Sequence, residues 1–185
     1  MKQDLPSFFK DESESMKFEE VIDFFMSWTI RCAETIYQND HKIINDYAKL
    51  ILSKLIFGDE NHIGDKNISS LKIWKQHWNV DLWVELEIDS KEIALIIEHK
   101  MYSSIREGQL EKYKNLAEEY YKERKEIQLF FIFLRPDYEI DLKYGEKVNC
   151  EKLGYLYLNL EELQCVLPEQ KTGNDLFDEF WFNWK

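Results

Sequence analysis

Two neighbouring apolar stretches of different kind, joined by a short turn, constrain this chain more than any other feature. From Val80 to Glu87 the residues alternate, with Val80, Leu82, Val84 and Leu86 apolar and Asp81, Trp83, Glu85 and Glu87 between them. A period of two predicts a strand with one face in the core. From Ile93 to Ile97 the apolar run is unbroken and then becomes charged at Glu98-His99-Lys100, as expected of a strand buried on both faces that emerges at its end. Asp89-Ser90-Lys91 between them reads as a turn.

Helical spacing dominates what comes before. Phe18, Val21, Ile22, Phe25, Trp28, Thr29 and Cys32 fall on one stripe within Met16 to Gln38, and Ile43, Ile44, Tyr47, Leu50, Ile51 and Leu55 on another within Asp40 to Phe57. Asn39 or Asp40 would cap the second helix at its start and Gly58 at its end. Residues 1–15 carry no period and predict a loose arm, and residues 58–70 predict a loop. Leu71 to Trp78 begins another strand-like stretch. A helix is expected over about Ile105 to Lys125, a second buried strand over Ile127 to Leu134, a short strand over Tyr155 to Asn159, and a last helix. The aromatic-rich segment Gly173 to Lys185 is expected to close the core. The expected fold is α/β, a mixed central sheet flanked by helices in the order αβββαβ. Its 185 residues form one domain, with N-terminal helices over 16–57 and a core over 70–165.

Composition narrows the classes. Hydrophobic residues make up 44% and aromatics 15%, too apolar for a disordered chain. No apolar run approaches the ~20 residues that span a bilayer, and the first residues are polar and acidic, so a cytoplasmic protein with no membrane partner is expected. Cys32, Cys150 and Cys165 have neither zinc-like spacing nor disulfide density and are expected to be buried, reduced thiols. His41, His62, His77 and His99 lack zinc-site spacing too. A net charge of -12 opposes polyanion binding unless basic residues are segregated or metal ions intervene. Trp74, Lys75, His77 and Trp78 interleave rings and bases, which suits phosphate and base contacts as well as ordinary strand packing.

The chemistry follows from the hairpin. A two-residue loop at Asp89-Ser90 sets Asp81 opposite Glu98, whereas a four-residue loop sets it opposite Lys100; a three-residue loop would mismatch the apolar faces. Glu98 and Lys100, two apart on a strand, point the same way at roughly 7 Å. Two carboxylates on one sheet face repel, and a divalent cation with hard oxygen ligands relieves that repulsion. A lysine beside a metal-bound water orients the nucleophile or stabilises developing negative charge. The tripeptide (D/E)xK alone decides nothing, since it recurs at Asp40, Asp89, Glu123, Asp141 and Glu169. Only at Glu98 does it end a buried strand, follow an acid-bearing strand and precede a helix opening Gly108-Gln109-Leu110-Glu111-Lys112-Tyr113.

VDLWVEL (80–86), IIEHK (96–100) and GQLEKY (108–113) together resemble the core of PD-(D/E)XK nucleases with a restriction-endonuclease-like fold. The resemblance implies Asp81 and Glu98 as Mg²⁺ ligands, with Mn²⁺ able to substitute, the backbone carbonyl of His99 completing the shell, and Lys100 assisting the attacking water. It also implies Gln109 and Tyr113 as a motif beside the site that meets substrate. His99 stands where the nearest group has asparagine, with its side chain expected to point away. The family's helix-borne acid has three candidates, Glu19, Glu20 and Glu34, of which Glu34 is favoured. The implied activity is endonucleolytic hydrolysis of nucleic acid, DNA before RNA, leaving a 5′-phosphate. The rival readings are a non-cutting nuclease-like domain that binds nucleic acid or a protein partner, or a homodimer, in a defence or regulatory complex, and a structural protein whose acidic hairpin is coincidental.

Overall fold

The protein is represented by a computed structural model that describes residues 18–60, 62–101, 103–135 and 144–183. The arm expected over residues 1–15 lies outside the described residues.

α1 (Phe18–Cys32) and α2 (Lys42–Phe57) precede five strands, β1 (Ile68–His77), β2 (Val80–Ile88), β3 (Lys91–His99), β4 (Gln128–Arg135) and β5 (Tyr155–Asn159). The first helix stops at Cys32, short of the expected Gln38, and a separate 3-10 turn covers Thr35–Tyr37. The second starts at Lys42 with His41, rather than Asn39 or Asp40, in the cap position. It ends as expected at Gly58, whose positive φ of 72° brings its N–H 2.9 Å from the Lys54 carbonyl. That left-handed conformation costs a glycine least.

The strands hydrogen-bond in sequence order. β1, β2 and β3 form an antiparallel meander, and β3, β4 and β5 run parallel. Of the two open registers the structure has the two-residue loop: Ile88 pairs with Lys91, and Asp89 and Ser90 both have positive φ, the type I′ turn that suits twisted strands. Leu82 pairs with Ile97, so one step further Asp81 faces Glu98. The parallel half needs crossovers. α3 (Gln109–Tyr121) supplies the first, shorter than the expected span of Ile105 to Lys125. α4 (Tyr144–Lys152), which the sequence analysis lacks, lies between β4 and β5.

Two apolar layers result. Leu82, Val84, Leu86, Leu95 and Ile97 face α1 and α2, where Ile22, Met26, Ile51, Leu52 and Leu55 are buried. Trp83, Ala94, Ile96, Phe131 and Phe133 face α3, where Leu110, Tyr113 and Ala117 are buried. Cover on both faces explains the unbroken apolar run of β3. α5 (Leu160–Gln164) opens on a capping box between Asn159 and Glu162. α6 (Asp175–Asp178) leads into a π-helical turn, Glu179–Asn183, and Phe177, Phe180 and Trp181 are buried against the first layer, which closes the core. Ile43 is exposed rather than packed. The three cysteines are free thiols; Cys150 is buried, Cys32 half-buried, and Cys165 exposed, contrary to expectation.

Candidate active site

β2 and β3 bring their charged ends together at one edge of the α3-facing layer. Asp81 lies just beyond Leu82, the last residue of β2 paired with β3, so its carboxylate takes over that ladder: Oδ2 accepts the His99 backbone N–H at 2.9 Å, while Oδ1 accepts Gln76 Nε2 at 2.8 Å. Glu98 is 1% exposed. Its Oε1 accepts Gln109 Nε2 at 2.6 Å and lies 2.6 Å from Lys100 Nζ, whereas its Oε2 is buried with no hydrogen-bond partner. Gln109 is aimed by its own surroundings: Oε1 accepts the Arg106 N–H, and Nε2 lies 3.1 Å from Tyr113 Oη, which donates to the Asn79 carbonyl. Asp81, Glu98, Lys100, Gln109 and Tyr113 thus form one connected group.

Glu34 does not join them. Its Oε1 accepts the Leu71 N–H, and Leu71 sits between residues paired with Glu87 and Glu85, roughly 15 Å along β2 from Asp81 at the strand rise. The acid that α1 does deliver is Asp23, 4% exposed. Asp23 Oδ1 lies 3.1 Å from His99 Nδ1, and that nitrogen lies 3.6 Å from Asp81 Oδ2. The His99 ring therefore points to the α1 face, away from Glu98 as expected, yet stays in contact with Asp81. Asp23, Asp81 and His99 offer ligand atoms within 4.8 Å of one another, a group able to hold a metal ion. In the structure Asp23 shares the most buried line of α1 with Met26 and Ile30, where an acid is costly without a partner; the apolar stripe read from sequence does not include that line.

The loop after β3 is fastened from behind. Arg135, 1% exposed, donates to the Lys100 and Ser103 carbonyls at 3.1 and 2.9 Å and makes a two-pronged contact with Glu146 of α4 at 2.9 and 2.6 Å. Lys100 is held by its backbone as well, its N–H donating to the Leu134 carbonyl.

Electrostatics follow from this crowding. Burial, and then the Asp81 charge, push the Glu98 carboxyl up to about 7, against the pull of Lys100. Asp23 is also raised, first by burial and then by Asp81, with His99 opposing. Carboxylates raised in this way, and the buried Glu98 Oε2 without a donor, fit a cation better than they fit an empty cleft.

The junction of an antiparallel hairpin with parallel strands, with the charged residues at that junction, defines a restriction-endonuclease-like α/β class. The family model of the PD-(D/E)XK nuclease superfamily matches residues 21–171, so the chain belongs to that superfamily. The match begins inside α1 and therefore includes Asp23, outside the expected core of 70–165. No curated protein and no solved structure matches the chain. No helix among the described residues is long and apolar enough to cross a membrane.

Proposed function

We propose that the protein is a metal-dependent nuclease that hydrolyses phosphodiester bonds, DNA before RNA. The observation that carries this is the meeting of Asp81, Glu98, Lys100 and Gln109 at one sheet edge, with a buried oxygen of Glu98 left without a donor. Asp81, Glu98 and the backbone carbonyl of His99 would hold Mg²⁺, with Mn²⁺ as substitute, and Asp23 and the His99 ring support Asp81 from the other face. When bound, the ion supplies Lewis-acid polarisation of the phosphoryl group and lowers the pKa of water.

The chain's own residues set the geometry around that chemistry. Gln109 and Lys100 both hold Glu98 Oε1, which leaves the buried Oε2 without a donor and open to a cation. The Lys100 side chain, 15% exposed, would orient the attacking water and stabilise charge gathering on the phosphoryl oxygens. Gln109 would meet the substrate backbone, with the buried Tyr113 behind it holding its amide. A 5′-phosphate on the product follows from the family. A protein partner or homodimer would supply the positive surface that a chain of net charge -12 lacks.

The test is cleavage of plasmid and single-stranded DNA in Mg²⁺ or Mn²⁺ by the wild type and by Asp81→Ala, Glu98→Ala and Lys100→Ala. Each folded variant is expected to lose at least roughly a hundredfold in rate, the scale of single electrostatic or acid-base contributions. Asp23→Asn is expected to weaken metal dependence with a smaller loss. A wild type that never cuts and shows no metal binding by calorimetry leaves the non-cutting, binding-domain reading in its place.

A further inference from the structure

A few residues from Asp81, the β1–β2 hairpin and the end of α3 carry an aromatic rim that core packing does not account for. Trp78, Tyr120 and Trp74 are 44%, 48% and 39% exposed. Trp78 stands edge-on to Trp83 and Tyr120, with centroids at 5.7 and 5.2 Å, and stacks on His77 at 4.8 Å. Trp83 beneath is 1% exposed, its indole N–H held by Tyr121 Oη at 2.6 Å. The exposed rings are thus braced on a fixed base.

The turn is unusual too. Trp78 and Asn79 both have positive φ, at 54° and 67°, and a bulky side chain at such a position is uncommon and strained. His77 pairs with Val80, so this is a two-residue loop that glycine or asparagine would fit with less strain. The same turn is tied to the catalytic group, through Gln76 to Asp81 and through the Asn79 carbonyl to Tyr113. Trp78 lies three residues from Asp81, a reach of at most roughly 11 Å of chain. Lys72 is exposed on β1 opposite Glu85, on the Trp83 side of the sheet, local positive charge on an acidic chain, whereas Lys75 lies over the Phe24 ring of α1.

We propose that this rim is a stacking platform for an unpaired nucleobase next to the phosphodiester held at Asp81, Glu98 and Lys100, so that single-stranded nucleic acid, or a frayed or overhanging end, is the preferred substrate class. Bases inside a duplex hide their faces in the stack and offer nothing to protruding rings, whereas an unpaired base offers a whole π-face. Lys72 meets a flanking phosphate. The proposal rests on the nuclease reading, and its test separates the two.

The affinity of the full chain for fluorescent oligothymidine, and for the same strand in a blunt duplex, is measured in EDTA so that nothing is cut. The single strand is expected to bind more tightly. Trp78→Ala should weaken it roughly 5- to 100-fold, the range of base–aromatic stacking, without changing duplex affinity, and Trp78→Phe should retain most of it. Tyr120→Ala reads out the same surface if Trp78→Ala does not fold. Absence of single-strand binding, or an equal loss for both ligands, overturns the platform. So does a self-associating chain whose dimer, rather than its oligonucleotide affinity, depends on Trp78. Trp78-dependent binding without cleavage in Mg²⁺ or Mn²⁺ keeps the platform and refutes hydrolysis. Cleavage of both DNA forms at an unchanged rate by Trp78→Ala keeps hydrolysis and refutes the platform.

Discussion

Glu98 is held under opposing demands: a buried carboxyl beside Asp81 favours a proton, and Lys100 favours its release. Its carboxyl is pushed up from 4.5 to about 7, so without metal the folded chain keeps a proton that the unfolded chain has already lost over that interval. Where the native state binds more protons, stability falls as pH rises. The contribution is complete below about 4.5 and gone above about 7. The thermal midpoint of the metal-free protein should therefore decline across that window. Glu98→Gln, which keeps the hydrogen-bonding shape without the charge, should flatten the decline and raise the midpoint at pH 8. Mg²⁺ should protect the wild type mainly above the window, because it requires the ionised carboxylate. A wild-type midpoint independent of pH, or a Glu98→Gln protein less stable at pH 8, would contradict this. At this scale the meeting of Asp81, Glu98 and Lys100 could be read from sequence because the strand period sets them on one face, whereas Gln109 and Tyr113 entered through the motif resemblance. Asp23 could not be ranked above Glu19, Glu20 and Glu34, because α1 shows several acids and only tertiary packing decides which one turns inward.

Among the elements, α4 connects most directly to the site while being the hardest to read from sequence. Its nine residues YGEKVNCEK have little amphipathic pattern, whereas the strands on either side are apolar runs that any period analysis detects. The long stretch between β4 and β5 was the available sign, since parallel neighbours require a crossover of a dozen or more residues. α4 brings Glu146 to Arg135, and Arg135 holds the carbonyl of Lys100. Glu146→Ala leaves a guanidinium that is 0% exposed without its carboxylate, and loss of one partner from a buried pair typically costs about 3–5 kcal/mol. Chemical denaturation should show a loss of that order. Cleavage by the folded fraction should also fall, because the loop carrying Lys100 loses its fastening. Normal stability together with normal cleavage would remove Arg135 from its positioning role.

For the whole molecule, two layers of helices on a mixed sheet were expected and found, but how the distant ends of the chain meet was not legible, because periodicity carries no information about which elements pack together. Trp181 donates to Thr29 Oγ1 at 2.9 Å across 152 positions of sequence, and Phe180 stacks on Phe25 at 4.5 Å with ring planes 5° apart. Trp181→Ala is expected to cost about 3–5 kcal/mol, as for other buried aromatic truncations, and to lower metal affinity because α1 carries Asp23. Calorimetric titration of Mn²⁺ against the folded variant reads the second effect, and unchanged affinity would argue that α1 is held without the aromatic brace.

That brace has a consequence for how the protein is made. α1 leaves the ribosome early, whereas Phe180 and Trp181 emerge only after all five strands, and chains fold from the N-terminal side during synthesis. Asp23 is thus fixed in place by residues that reach it last, and a partly made chain carries its hairpin acids without a secured α1.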